Sequence, residues 1–97
     1  YQPELLIWKK MSFDEVKKNL EKTEKILSRL DEKKFEKEKI KSALEPLAKE
    51  QGSGEVFWPL RVALTGRPAS PGPFDVAEVL GKEKTLKRIR EAKTILG

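Results

Sequence analysis

The chain contains no cysteine and no histidine in its 97 residues. Their absence removes disulfides, thiolate nucleophiles, Cys/His zinc sites and histidine general bases together. A cysteine-free chain is neutral to favourable for the cytoplasm, which is the expected location, and says no more than that. Aromatic residues are scarce at 7%, and hydrophobic residues make up 37%. A chain of this length is expected to form one domain with a thin core, assembled from the apolar stripes of amphipathic elements. No apolar run approaches the roughly 20 residues that span a bilayer, so no membrane partner is expected, and no signal peptide is visible. Strand-like alternation is absent as well. The first residue is Tyr1 rather than Met, and the chain is expected to be a piece of a longer protein.

Charge is what the chain has in abundance. Charged residues make up 38%, with 21 basic against 16 acidic, a net charge of +5 and a pI of about 9.5. This balance fits a polyanionic partner without requiring one. Through Glu50 the counts nearly cancel, at 13 basic against 11 acidic, and such mixing describes a solvated helix surface with i,i+4 pairs. The excess lies in the second half, at 8 against 5, mostly in the last sixteen positions.

The periodicity is helical throughout, and an all-α fold is expected: a small orthogonal bundle of about five helices, with a charged half over residues 1–51 and a motif-bearing half over 54–97. Ser12-Phe13-Asp14-Glu15 has the form of a capping box. Apolar residues follow at Phe13, Val16, Leu20, Ile26/Leu27 and Leu30, which predicts a first helix from about Phe13 to Leu30. A second begins near Phe35 or Glu36 with a stripe of Ile40, Ala43/Leu44 and Leu47/Ala48, and Pro46 predicts a kink or break around Ala43 to Glu45. Gly52-Ser53-Gly54 should end it as a flexible joint. A third, short helix fits Val56 to Leu64, with Pro59 in its first turn and Gly66 just beyond its end. A fourth fits Phe74 to Leu80, with Phe74, Ala77 and Val79/Leu80 inward. A fifth runs from about Lys82 to Ile95, with Leu86, Ile89, Ala92 and Leu96 on one side.

The candidate functional residues cluster between Phe57 and Phe74. Two arginines, Arg61 and Arg67, accompany a tryptophan, two phenylalanines and a Pro/Gly-rich elbow, Arg67 to Phe74, whose residues Arg67 to Pro73 are expected to be neither helix nor central strand. Unstacked RNA bases lie on flat side chains and offer their edges to guanidinium and backbone groups, so this mixture suits them. Arg61 falls on the same helical side as Phe57, Leu60 and Leu64. A guanidinium at the edge of an apolar stripe is costly unless paired. It is therefore either neutralised within the chain, with Glu55, Asp75 or Glu78 as acceptors, or left available to a base edge or phosphate. Trp58 is either a core tryptophan or a stacking surface, and Phe57 reads as core. The elbow is either an ordinary stiff loop or a preorganised platform, with Gly72 admitting close approach. Lys82, Lys84, Lys87, Arg88 and Arg90 stud the last helix as a solubilising face or as a phosphate-tracking patch. No nucleophile–base pair, metal cluster or phosphate-binding loop stands out, so no catalytic site is expected here.

The run Trp58-Pro59-Leu60-Arg61-Val62-Ala63-Leu64-Thr65-Gly66 resembles the C-terminal anticodon-binding domain of bacterial-type glutamyl-tRNA synthetases. So do Ser70-Pro71-Gly72-Pro73-Phe74, Val79-Leu80-Gly81-Lys82-Glu83 and Leu86-Lys87-Arg88-Ile89. The resemblance is specific from about Gly54 to Leu96 and looser over Pro3 to Gln51. It implies a parent class I enzyme, a glutamate–tRNA ligase using ATP and Mg²⁺, with no cofactor in this segment. It implies a glutamate-accepting tRNA as partner, along with the preceding anticodon-binding and catalytic domains of the same chain. In that family the arginine of the Pro-Leu-Arg motif contacts anticodon bases, which falls on Arg61. The elbow also lines the anticodon, which falls on Ser70, Pro71, Gly72 and Pro73, where the family also uses leucine at the last position. Trp58 and Arg67 are further candidates, and Lys82, Lys84, Lys87 and Arg88 are candidates for backbone contact. Lys10-Met11-Ser12 is similar to the start of the Lys-Met-Ser-Lys-Ser loop of class I synthetases, but Phe13 and Asp14 follow, and capping accounts for Ser12. The competing expectation is a helical interaction or scaffold domain that binds protein and no RNA.

Overall fold

A computed structural model of the chain describes residues 1–68 and 71–97. Among them the regular structure is entirely helical. Four α-helices, α1 (Phe13–Ser28), α2 (Lys37–Gln51), α3 (Ser53–Thr65) and α4 (Pro73–Leu96), follow a 3-10 turn at Pro3–Leu6, and a second 3-10 turn at Glu32–Lys34 joins α1 to α2. The capping box forms as expected. The Ser12 hydroxyl accepts from Glu15 N at 3.1 Å, and the Glu15 carboxylate accepts from Ser12 N at 3.1 Å. Leu6, Leu20, Leu27, Ile40, Leu44, Leu60, Leu64 and Ile89 are the largest side chains wholly removed from solvent. Each such side chain contributes about 1.5–3 kcal/mol, and together they join all four helices to the N-terminal turn in one core. Two expected inward residues lie outside it: Phe13 is 42% exposed and Val79 is 85% exposed.

The prolines act differently from expectation. α2 runs through Pro46 without a break. The missing N–H would have served Ser42, which is exposed, so water can satisfy that carbonyl and the helix need not end. α3 begins at Ser53 rather than Val56, which leaves Gly52 as the whole joint and puts Pro59 in the interior of the helix instead of its first turn. The carbonyl of Glu55 therefore lacks its helical donor. The buried side chain of Asn19 supplies one: its Nδ2 donates to Glu55 O at 3.1 Å, crossing from α1 to α3. A proline that costs α3 a hydrogen bond thus becomes part of the joint between two helices.

The expected fourth and fifth helices form the single element α4, so the α-helix count among the described residues is four. Gly81 interrupts it with φ 84° and ψ 168°. That backbone is open to glycine and strained for other residues, which is why the break falls there. The buried Thr85 hydroxyl reaches back across the break and donates to Ala77 O at 3.4 Å.

Charge closes the bundle at the α1–α4 seam. Glu24 accepts from Arg90 Nε at 2.6 Å and pairs with Lys93 Nζ at 2.5 Å, with the Glu24 side chain only 16% exposed. Burial pushes this carboxyl upward, but the hydrogen bonds and charges of Lys93 and Arg90 outweigh it and hold it below its ordinary value near 4.5. A carboxyl depressed by folding stabilises above its unfolded value and ceases to do so as pH falls through the folded one. Glu24→Gln should therefore cost about 1 kcal/mol near neutral pH, the scale of a partly exposed pair. The gap to the parent chain should close as the pH drops below the usual carboxylate range. Thermal unfolding of both proteins at pH 7 and pH 3 reads this directly, and a gap that persists at pH 3 would show the clamp to be steric rather than ionic.

Candidate nucleic-acid interface

α3 carries the site because its sequence alternates bulky core residues with a half-buried flank. Val56, Leu60, Val62, Ala63 and Leu64 are buried, while Phe57, Trp58 and Arg61 lie half-buried along one side. Phe57, Trp58 and Arg61 line a concavity of about 440 Å³ with Ser53, Gly54 and Trp8. The Phe57 ring meets Phe74 edge to face, with centroids 4.9 Å apart. Phe57 thus links the arginine, one turn further along α3, to the first turn of α4, where the elbow ends.

The three acids that could have neutralised Arg61 are committed elsewhere or hold no such pair. Asp75 pairs with Lys37 Nζ at 3.0 Å, and Glu78 accepts from Lys37 N at 2.8 Å, capping the start of α2. The hydrogen bond from Lys37, with the Asp75 charge, lifts the lysine ammonium above its ordinary range. Glu55 makes no ion pair among the described residues, Arg61 included. The Arg61 guanidinium therefore has no protein acceptor among the described residues; its backbone carbonyl accepts from the Thr65 hydroxyl at 2.9 Å.

Trp58 serves the scaffold as well as the rim. Its Nε1 donates to Leu5 O at 2.9 Å, and its ring lies 5.3 Å from that of Trp8, tilted by 43°. Its polar edge is thus occupied while part of its surface still lines the concavity. Phe57, expected in the core, both packs and lines. Arg67 is exposed, and its backbone N donates to the Thr65 hydroxyl at 3.1 Å. Pro71 is exposed; Gly72 caps α4 and Pro73 is its buried first residue. Ser70 lies outside the described residues.

The basic patch divides. Arg88 reaches back to α3, where its Nη1 donates to Leu64 O and satisfies one of the carbonyls at the end of that helix. Lys82 is half-buried beside Glu32, Glu83 and Leu86. Lys84 and Lys87 are exposed and make no ion pair among the described residues. Sequence reasoning missed Trp8. Its signal was present, a tryptophan followed by two lysines, but nothing in the local periodicity places it opposite Trp58.

The family described as "Anticodon binding domain" matches residues 1–93. The chain belongs to that family. Relatives of this anticodon-binding domain include a glutamate–tRNA ligase of Clostridium botulinum, 39% identical over 94 residues, covering 93% of the chain and 19% of the relative. Another, from Clostridium tetani, is 38% identical over 95 residues with the same shares. The glutamate–tRNA ligase of an Anaeromyxobacter species is 59% identical over 46 residues, 47% of the chain and 10% of the relative. The domain therefore spans about a fifth of the length of the curated relatives that it matches from end to end. No solved structure matches it. Among the described residues of the domain no helix is long and apolar enough to cross a membrane.

Proposed function

We propose that the chain is the tRNA anticodon-recognition module of an ATP-dependent glutamate–tRNA ligase and that it holds the anticodon loop of a glutamate-accepting tRNA. The observation that carries this reading is the Arg61 guanidinium at the rim of an aromatic concavity, without an acceptor among the described residues, while the carboxylates of Asp75 and Glu78 are bound to Lys37. An arginine kept half-buried and unneutralised is poised for a base edge or a phosphate, where two parallel N–H donors give orientation as well as affinity. Phe57 and Trp58 supply flat surfaces beside it. Pro71 and Pro73 stiffen the adjoining segment, so little loop entropy is lost on binding. Lys84 and Lys87 contribute salt-dependent attraction for the phosphate backbone.

The module contributes no chemical step. It positions the tRNA so that the acceptor end reaches a distant active site, and a wrong anticodon leaves polar groups unpaired. The ATP and Mg²⁺ of such a ligase would be held by other parts of the parent.

The test is chemical-shift mapping of the chain against an anticodon stem-loop RNA. The largest shifts should fall on Phe57, Trp58, Arg61 and residues 71–74, with affinity near the micromolar range that half of a binding cage supports and falling as salt rises. Shifts confined to α1 and α2, or none at all, would favour the protein-scaffold reading.

A further inference from the structure

The N-terminal segment lies along α3. The ring of Tyr1 sits against Gly66 at one end and the indole of Trp8 against Gly54 at the other. A Cβ on Gly54 would fall 2.2 Å from Trp8 Nε1, so the absence of a side chain there is what lets the indole settle on the helix. This brings Trp8 to the wall between two concavities. One, of about 440 Å³, is shared with Arg61; the other, of about 610 Å³, is lined by Lys9, Lys10, Met11, Glu15 and Glu55. Trp8 is half-buried, so part of its ring is open to solvent.

The turn after Trp8 is unusual. Lys9 has φ 52°, a left-handed backbone that no other non-glycine residue among those described adopts, and such strain collects at binding sites. Met11 N closes the turn onto Trp8 O at 3.1 Å. The Lys9 ammonium lies 5.2 Å from the centroid of the Trp8 ring. Lys9 and Lys10 are both exposed, and neither forms an ion pair among the described residues. Glu15 is held by Ser12 N at 3.1 Å. It and Glu55 make the interior of the larger concavity unfavourable to an anion, so phosphate belongs on the solvent side of the lysines.

We propose that Trp8, Lys9 and Lys10 form a second nucleotide-binding position, for one unstacked RNA nucleotide adjoining the base that reaches Arg61. Its base stacks on the open face of Trp8, and its phosphate is neutralised by Lys9 and Lys10. In the free protein Lys9 covers the ring through a weak exposed cation–π contact; an arriving base takes the face and the ammonium turns to the phosphate. Because Trp8 and Arg61 line one concavity, a strand engaged at Arg61 has its neighbouring nucleotide within reach of the indole. This rests on the reading of the chain as an RNA-binding module.

The chain has two tryptophans, so Trp58→Phe leaves Trp8 as the only indole. Titrating that variant with an anticodon stem-loop RNA should quench its fluorescence saturably, with the same midpoint that shift mapping of that variant gives. The paired substitution Lys9→Gln and Lys10→Gln touches only exposed side chains. It should weaken binding about 3- to 10-fold and reduce the slope of log affinity against log salt by about 0.7, the value for one single-strand phosphate contact. Trp8→Leu, with its fold checked by thermal unfolding, should weaken binding about 5- to 100-fold, the scale of one lost stacking contact. If RNA shifts Arg61 while the Trp8 signal and the salt slope stay unchanged, this position is overturned and the anticodon reading stands. If RNA shifts nothing, the anticodon reading falls and this one with it.

Discussion

Arg61→Ala in a full-length ligase carrying this domain is expected to lower kcat/KM for the tRNA with its native anticodon by about 5- to 100-fold. That corresponds to about 1–3 kcal/mol, the range for losing one well-oriented contact to a base edge. The loss should be much smaller on a tRNA whose anticodon is already altered, because the contact being removed no longer exists there. Uniform losses on both RNAs would reduce Arg61 to a phosphate contact, which is blind to sequence. The expectation rests on what the guanidinium does in the free protein. It lies half-buried beside Phe57 and Trp58 and has no acceptor among the described residues. Removing it should therefore break no internal bond, and thermal stability should hold while discrimination falls. Arg88 offers the internal control. It bonds to Leu64 O, so Arg88→Ala should lower stability in addition to any effect on RNA.

The contrast between Arg61 and Arg88 shows where the sequence was legible. Helical spacing put Arg61 beside Phe57 on one side of α3, and the structure keeps both on the concavity. No sequence signal distinguishes Arg88 from Lys84 and Lys87, because its partner is a backbone carbonyl 24 residues away. The competition for Asp75 and Glu78 was equally hidden. Both were plausible acceptors for Arg61 until the start of α2 was brought against α4 and Lys37 took both of them. Local rules held where the physics is local. The Ser12–Glu15 box, the termination at Gly66 and the break at Gly81 each follow from caps or glycine backbone within one turn. They failed where a distant group altered the cost of a local feature, and α3 supplies the example.

Proline in a helix interior normally costs about 3 kcal/mol, part of it from the orphaned carbonyl four residues earlier. That cost is why α3 was expected to start at Val56, with Pro59 in its first turn. It starts three residues earlier, at Ser53, because Asn19 on α1 provides the missing donor to Glu55 O at 3.1 Å. Asn19 is 4% exposed, so water cannot readily replace it. Asn19→Leu, close in shape but without the donor, should destabilise the domain by about 1–3 kcal/mol, the cost of leaving a buried carbonyl unpaired. Pro59→Ala restores an N–H that can serve the same carbonyl. In that background Asn19→Leu should cost much less, giving a coupling of about 1–2 kcal/mol in a double-mutant cycle by thermal or urea unfolding. Additive losses would mean that Asn19 acts by filling space and that Glu55 O is satisfied some other way. A strong coupling would explain how a proline sits inside α3 just before Leu60 and Arg61: the helix carrying Arg61 is held in place by an amide from its neighbour.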